Sequence, residues 1–331
     1  MKKQIGICAL IAVLVLVAVS CASLTAKTKY ITNTAFITAV EEETDINWIK
    51  EEDGTVPLTP ENLKAVRAIR ELDISYKKLS DLSGIEWFSK LAILDCSGNR
   101  LTELDLSQNS NLWILWCNSN HLRSLDLSHN TALVGLDCST NRLTDLDVSH
   151  NTALIALDCS SNHLTKLDVS NNIELDGLGC TNNQLSELDV SQNTALEVLY
   201  CGSNQLSELD VSQNTALTEL YCYENQLRSL DVSHNPTLEE LWCSENQLRS
   251  LDLSQNPALT LLSCFENQLR SLDLSQNTAL EKLYCGGQKI SDGKVQELTL
   301  TLTAEQREIW DWYWADETYE DANNYDVTIE E

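Results

Sequence analysis

Three columns of residues recur every 21 positions, and each could support chemistry. Nine aspartates run from Asp105 through Asp126 and Asp147 to Asp273. Ten cysteines run from Cys96 through Cys117 to Cys285. The position just before each cysteine reads Asp95, Trp116, Asp137, Asp158, Gly179, Tyr200, Tyr221, Trp242, Ser263 and Tyr284. Carboxylates stacked ~5 Å apart repel by about 1 kcal/mol in water. Three things could offset that: the serine two residues on (Ser107, Ser128), arginines such as Arg123, Arg228, Arg249 and Arg270, or a bound cation, since oxygen ladders suit Ca²⁺. Paired carboxylates can also serve as acid and base. Nine equivalent copies argue against one special pair.

The cysteine spacing is not that of a zinc motif, which needs CxxC or CxxH. Free cysteine packs as a small apolar residue, and in-register parallel neighbours are poorly aimed for a disulfide. Histidine is scarce. His129 and His150 stand one repeat apart, but two imidazoles without a third ligand make a weak metal signal. No GxSxG, HExxH, phosphate-binding loop or dinucleotide fingerprint occurs. The expectation is a chain that is not an enzyme and takes no cofactor and no metal.

The column before the cysteines is the one that varies. It turns aromatic at Trp116, Tyr200, Tyr221, Trp242 and Tyr284. Two residues further on, Tyr223 and Phe265 share its face, as do Glu219 and Glu240 two residues before Tyr221 and Trp242. Exposed aromatics rimmed by acids suit recognition. A sheet face also tolerates such rings for cross-strand packing, so both readings stand at this point.

These columns need a backbone to hold them. From Leu91 to about Gln288, each copy contains two similar halves, LxxLDVSxN and LxxLxCxxN. Leu104 to Leu115 is 11 residues and Leu115 to Leu125 is 10, a nested period. Side chains alternate faces along a strand. Leu104 and Leu106 therefore point inward and Asp105 outward, and Leu115 and Cys117 point inward with Trp116 outward. Ten coils at ~4.8 Å make a rod of about 45–50 Å. One coil cannot bury its own leucines, so only stacking makes a core. Two asparagine columns, Asn99 to Asn267 and Asn109 to Asn277, recur at the turns. An amide both donates and accepts, so both columns read as structural.

The motif LxxLxLxxNxL in every copy, over about 60% of the chain, resembles the bacterial leucine-rich repeats of the 21-residue class with nested 10/11 period. The resemblance implies a β-rich solenoid, a right-handed coil with two short parallel sheets, capped by a helix at each end. Half-repeats this short leave no room for a convex helix. At one end, Thr59-Pro60-Glu61 starts a helix, with Thr as N-cap and Pro at N1, and Glu71 to Ser75 follows as the first strand. This resembles the cap of internalin-like proteins. At the other end, Val295 to Leu302 alternates like a strand. Thr303 to Gln306 is a capping box, with Ile309, Trp310, Tyr313 and Trp314 as a lid over the last coil.

The chain opens Met1-Lys2-Lys3 and then runs uncharged to Ala26. This is a secretory signal. Its end, Val19-Ser20-Cys21, resembles the bacterial lipoprotein signal, which implies a lipid on Cys21. The expected layout is therefore residues 1–20 signal peptide, 21–58 polar tether, 59–90 N-terminal cap and first repeat, 91–290 solenoid, and 291–331 C-terminal cap. The 331 residues carry 22 Lys+Arg against 50 Asp+Glu, a formal charge of −28. That excludes nucleic acid and, apart from the lipid anchor, an anionic membrane surface.

The expected function is non-catalytic protein recognition by a lipid-anchored protein of the bacterial cell surface or outer membrane. The resemblance implies adhesion to host or neighbouring cells. Trp116, Tyr200, Tyr221, Tyr223, Trp242, Phe265 and Tyr284 are the candidate binding residues. A periplasm-facing structural lipoprotein and a glycan-binding surface protein are the alternatives.

Overall fold

The computed structural model describes residues 29–289, 294, 297–306 and 327–330. The signal segment, Cys21 and the aromatic lid Ile309 to Trp314 lie outside them. Strand β1 (Tyr30–Ile31) pairs antiparallel with β2 (Val56–Pro57). Between them stands helix α1 (Thr34–Glu43), capped by Asn33, whose side chain accepts from the Phe36 N–H at 3.0 Å. Phe36, Ile37 and Val40 are buried, and Phe36 meets Phe88 edge-on at 5.7 Å. The stretch expected to serve as a polar tether is therefore packed structure from Tyr30 onward. Its apolar stripe is too short to register as periodicity. Helix α2 (Pro60–Val66) starts as its sequence predicts, the Thr59 hydroxyl accepting from the Asn62 N–H.

The repeat then lays down one three-residue strand per coil. These are β3 (Glu71–Asp73), β4 (Ile93–Asp95), β5 (Ile114–Trp116), β6 (Gly135–Asp137), β7 (Ala156–Asp158), β8 (Gly177–Gly179), β9 (Val198–Tyr200), β10 (Glu219–Tyr221), β11 (Glu240–Trp242) and β12 (Leu261–Ser263). A three-residue strand β13 (Ser271–Asp273) lies in the other half-repeat, and β14 (Lys282–Tyr284) completes the series. All but β13 form one parallel 11-stranded sheet. The register is strict, so Leu72, Leu94 and Leu115 lie on one another, as do Tyr200, Tyr221 and Trp242. Behind the sheet the leucine and cysteine columns are buried, and the ten repeat cysteines are free thiols.

The second sheet is confined to the C-terminal end. There β13 pairs in parallel with β15 (Leu298–Thr301), and β15 with β16 (Val327–Glu330). In earlier coils the Leu-Asp-Val and Leu-Asp-Leu runs keep the expected alternation, Leu104 and Leu106 buried and Asp105 exposed, but form no strand among the described residues. Their backbone groups are engaged locally. The Ser107 N–H donates to Asp105 Oδ1 at 2.9 Å, and the Leu106 carbonyl accepts from the Asn109 N–H at 2.9 Å.

Asparagine side chains join the coils instead. Asn130 Nδ2 donates to the Leu106 and Asn109 carbonyls of the preceding coil at 3.1 and 3.0 Å. In the other column Asn120 donates to the Cys96 and Cys117 carbonyls and accepts the Leu101 N–H. Both ladders end in glutamine. Gln288 takes the asparagine position for Leu269, Cys264 and Cys285. Gln306, from the capping box, donates to the Leu274 and Asn277 carbonyls. The longer amide takes the last position of each column among the described residues.

Candidate functional site

The outward face of the long sheet carries the variable column. Each side chain is placed by its strand: the central leucine points into the core, so the residue after it points out. Register then stacks these positions one coil apart. Tyr200 and Tyr221 lie with ring centroids 4.5 Å apart, and Tyr221 and Trp242 5.4 Å apart. Trp242 and Tyr284, two coils apart across Ser263, approach to 6.3 Å. Four of the seven candidate residues thus form one row.

Carboxylates hold two of its rings. The Tyr200 hydroxyl donates to Glu219 Oε2, and the Tyr221 hydroxyl donates to Glu240 Oε2 at 2.6 Å. Burial and then the neighbouring Glu219 push the Tyr200 phenol up to about 12. Burial and Glu240 raise Tyr221 as well. Each ring is held by a charge-assisted bond that limits its rotation.

The other candidates are set apart. Tyr223 lies over Gly202 of the preceding coil, where a Cβ would come within 2.7 Å of its ring. A glycine is required there by close approach. Phe265 is half-buried on the same side. Trp116 is 41% exposed and stands four strands from Tyr200, between Asp95 and Asp137 in register. Asp137 is raised above its ordinary value, chiefly by burial. Among the exposed apolar residues that the sequence reading did not name, two share one column of this sheet. Trp113 is 54% and Ile155 41% exposed, at the position just before strands β5 and β7. The 21-residue comparison could have found them, because they share a column with Ala92 and Val134.

The aspartate column Asp105 to Asp273 is offset by its serines. In every copy the serine N–H two residues on donates to the aspartate, as from Ser191 to Asp189 at 2.9 Å. This bond and the serine hydroxyl hold the carboxyl below its ordinary 3.8.

No family model and no curated protein matches the chain, but solved structures do. The functional domain of InlJ from Listeria monocytogenes, which includes a cysteine ladder, is 34% identical, with a TM-score of 0.63 over 82% of this chain and 65% of that one. The fold is a leucine-rich-repeat solenoid. A Listeria monocytogenes internalin, inlF, superposes with a TM-score of 0.67 at 23% identity, covering 78% of this chain and 82% of that one. A Leptospira interrogans leucine-rich-repeat protein gives 0.54 at 23% identity, covering 79% and 75%. The solenoid thus spans slightly less than two thirds of the InlJ domain. Its buried cysteine column matches the feature for which that domain is described.

Proposed function

We propose that this solenoid is a non-catalytic recognition scaffold, exported and held at the bacterial cell surface by a lipid on Cys21. Its outward ring row binds a partner protein, as an adhesin's would. The observation that carries the reading is the row Tyr200, Tyr221, Trp242 and Tyr284, in register, with Tyr200 and Tyr221 anchored by Glu219 and Glu240. Tyrosine and tryptophan dominate interface energetics, and rings fixed before binding lose little entropy on binding. Tyr223, Phe265 and Trp116 extend the surface on either side. The internalin-like neighbours support a surface or secreted interaction protein.

The test has two parts. Protease added to intact cells removes the native protein, and Cys21→Ala releases it to the medium. Cross-linked partner protein is then captured by the native chain and falls at least about tenfold with Tyr221→Ala or Trp242→Ala, as for hot-spot residues. Protection from protease until the envelope is broken replaces the adhesin with a periplasm-facing structural lipoprotein. Capture of a glycan in place of a protein, lost with the same two variants, makes it a glycan-binding surface protein.

A further inference from the structure

We infer that Ser263, the one rung missing from the ring row, marks a seat for an arginine side chain of the partner. The inference rests on the recognition reading above and names the chemistry that this face selects.

Every coil from Tyr200 to Tyr284 places a ring at this position except the one carrying Ser263. Rings on adjacent coils are rooted ~4.8 Å apart, too close to admit a flat group between them. Trp242 and Tyr284 are rooted two spacings apart, about 9.6 Å. A planar group held between two rings needs about 7–8 Å, two contacts of 3.5–4.0 Å each. In the free chain these two rings lean together to 6.3 Å, tilted by 32°. The space their backbones provide is taken up by tilt, which a ligand can reverse.

The floor supplies the second observation. Ser263 is 1% exposed, and its Oγ is buried with no hydrogen-bond partner. Buried hydroxyls are ordinarily paired. Ser263 sits on the same outward face as Trp242 and Tyr284, so its hydroxyl faces the gap they bracket. A group that parts the rings meets it.

The occupant must be flat, carry donors for Ser263 Oγ, and suit acidic surroundings. A guanidinium is planar, donates only, and stacks on aromatic faces. Glu240 stands against the Trp242 wall, its Oε2 3.4 Å from Trp242 Nε1, and the chain as a whole carries −28. Lys282 continues the column of Glu240 and Leu261, so the acidic side of the seat is the Trp242 side. A lysine ammonium is compact, strongly hydrated and not flat, so it gains the general attraction and not the stacking. The geometry therefore discriminates between two side chains of equal charge.

The experiment titrates the full chain with an acetylated Gly-Arg repeat peptide and its Gly-Lys counterpart of equal length, by calorimetry near physiological ionic strength. The arginine peptide is expected to bind at least about tenfold tighter, a difference of ~1.4 kcal/mol. Ser263→Phe fills the rung and removes the preference, as does Tyr284→Leu, which opens one wall. Ile173→Ser, exposed at a position outside the ring row, retains it. Should Ser263→Phe fail to fold, Ser263→Ala removes the hydroxyl alone and reduces the preference. Equal affinity for both peptides overturns the seat, and so does an arginine preference that survives filling the rung. If partner capture is lost with Trp242→Ala yet neither peptide is preferred, the seat is wrong and the recognition reading stands. If Trp242→Ala leaves capture and peptide binding alike intact, both fail.

Discussion

Asparagine holds the coils together, but its two columns contribute unequally. Asn183 donates to the Cys159 and Cys180 carbonyls at 3.1 Å each and accepts the Leu164 N–H at 3.0 Å. Asn193 donates to the Val169 and Asn172 carbonyls, and its own Oδ1 is buried without a donor. Removing a partner from a buried polar group costs about 1–3 kcal/mol per group. Asn183→Ala orphans the Leu164 N–H, whereas Asn193→Ala removes a polar oxygen that has no donor and orphans nothing, because the carbonyls that both serve keep a second donor: Cys159 from Asn162, Cys180 from Asn204, Val169 from the Asn172 N–H and Asn172 from the Leu175 N–H. The first is expected to lower stability by about 3–4 kcal/mol and the second by ~1–2 kcal/mol. Urea melts with unchanged slopes measure the difference. The cysteine column is chemically quiet for the same reason it is structural. Burial pushes Cys243 and Cys285 up to about 12, and the rest of the column is raised as well. With Cys8 and Cys21 replaced by serine, an alkylating reagent at neutral pH is expected to modify none of the ten repeat thiols until the chain is unfolded, as counted by mass.

Among the secondary-structure elements, the strands of the long sheet were legible because each combines a buried leucine, an inward cysteine (Ile74 in the first) and an outward variable residue, which only period-two geometry satisfies. The second half-repeat has the same alternation, yet among the described residues it pairs as a strand only at Ser271–Asp273. Alternation reports which way side chains point. It does not report whether a neighbouring segment pairs, and the Asp-to-Ser and Asn turn bonds do not decide it, since Ser271–Asp273 carries the same ones and pairs with Leu298–Thr301. Helix α1 was hidden because its apolar residues cover barely one turn and its partner, Phe88, lies far along the chain. The ring row was legible as a column, but the missing rung was not, because Ser263 is read as an interruption until the distance across it is known. The same sheet face carries a pH dependence. The Tyr200 phenol ionises near 10 in an unfolded chain and near 12 when folded, so the folded state holds the proton more tightly. Its contribution to stability is complete below pH 10 and is lost as pH rises from there through about 12. Glu219→Gln removes the charge-assisted bond and the neighbouring charge and brings the phenol down, though not to 10, since burial remains the larger cause. Phenolate absorbance during alkaline titration, compared between the two chains, checks both the direction and the remainder.

A solenoid is stabilised by contacts between neighbouring coils, and this bears on how the full chain tolerates losing one. Cys243 and Cys264 occupy equivalent positions 21 residues apart. Removing residues 244–264 joins Cys243 to Phe265 and leaves every remaining coil with a neighbour of the same type. The asparagine ladders close, because Asn267 then meets the Asn225 coil as Asn246 does now, and the terminal glutamines keep their places. The shortened chain is expected to fold with the same secondary structure per coil. At roughly 0.05–0.15 kcal/mol per residue, the lost coil removes about 1–3 kcal/mol from the cooperative transition. The deletion also takes out Ser263 and sets Tyr284 directly beside Trp242, converting an interrupted row into a continuous one. Near-ultraviolet circular dichroism, which reads ring packing, should gain intensity while the far-ultraviolet signal per residue stays constant. A shortened chain that fails to fold would mean that stability in this solenoid is not carried coil by coil, and that the ends, with their helix and glutamine closures, are matched to one particular number of turns.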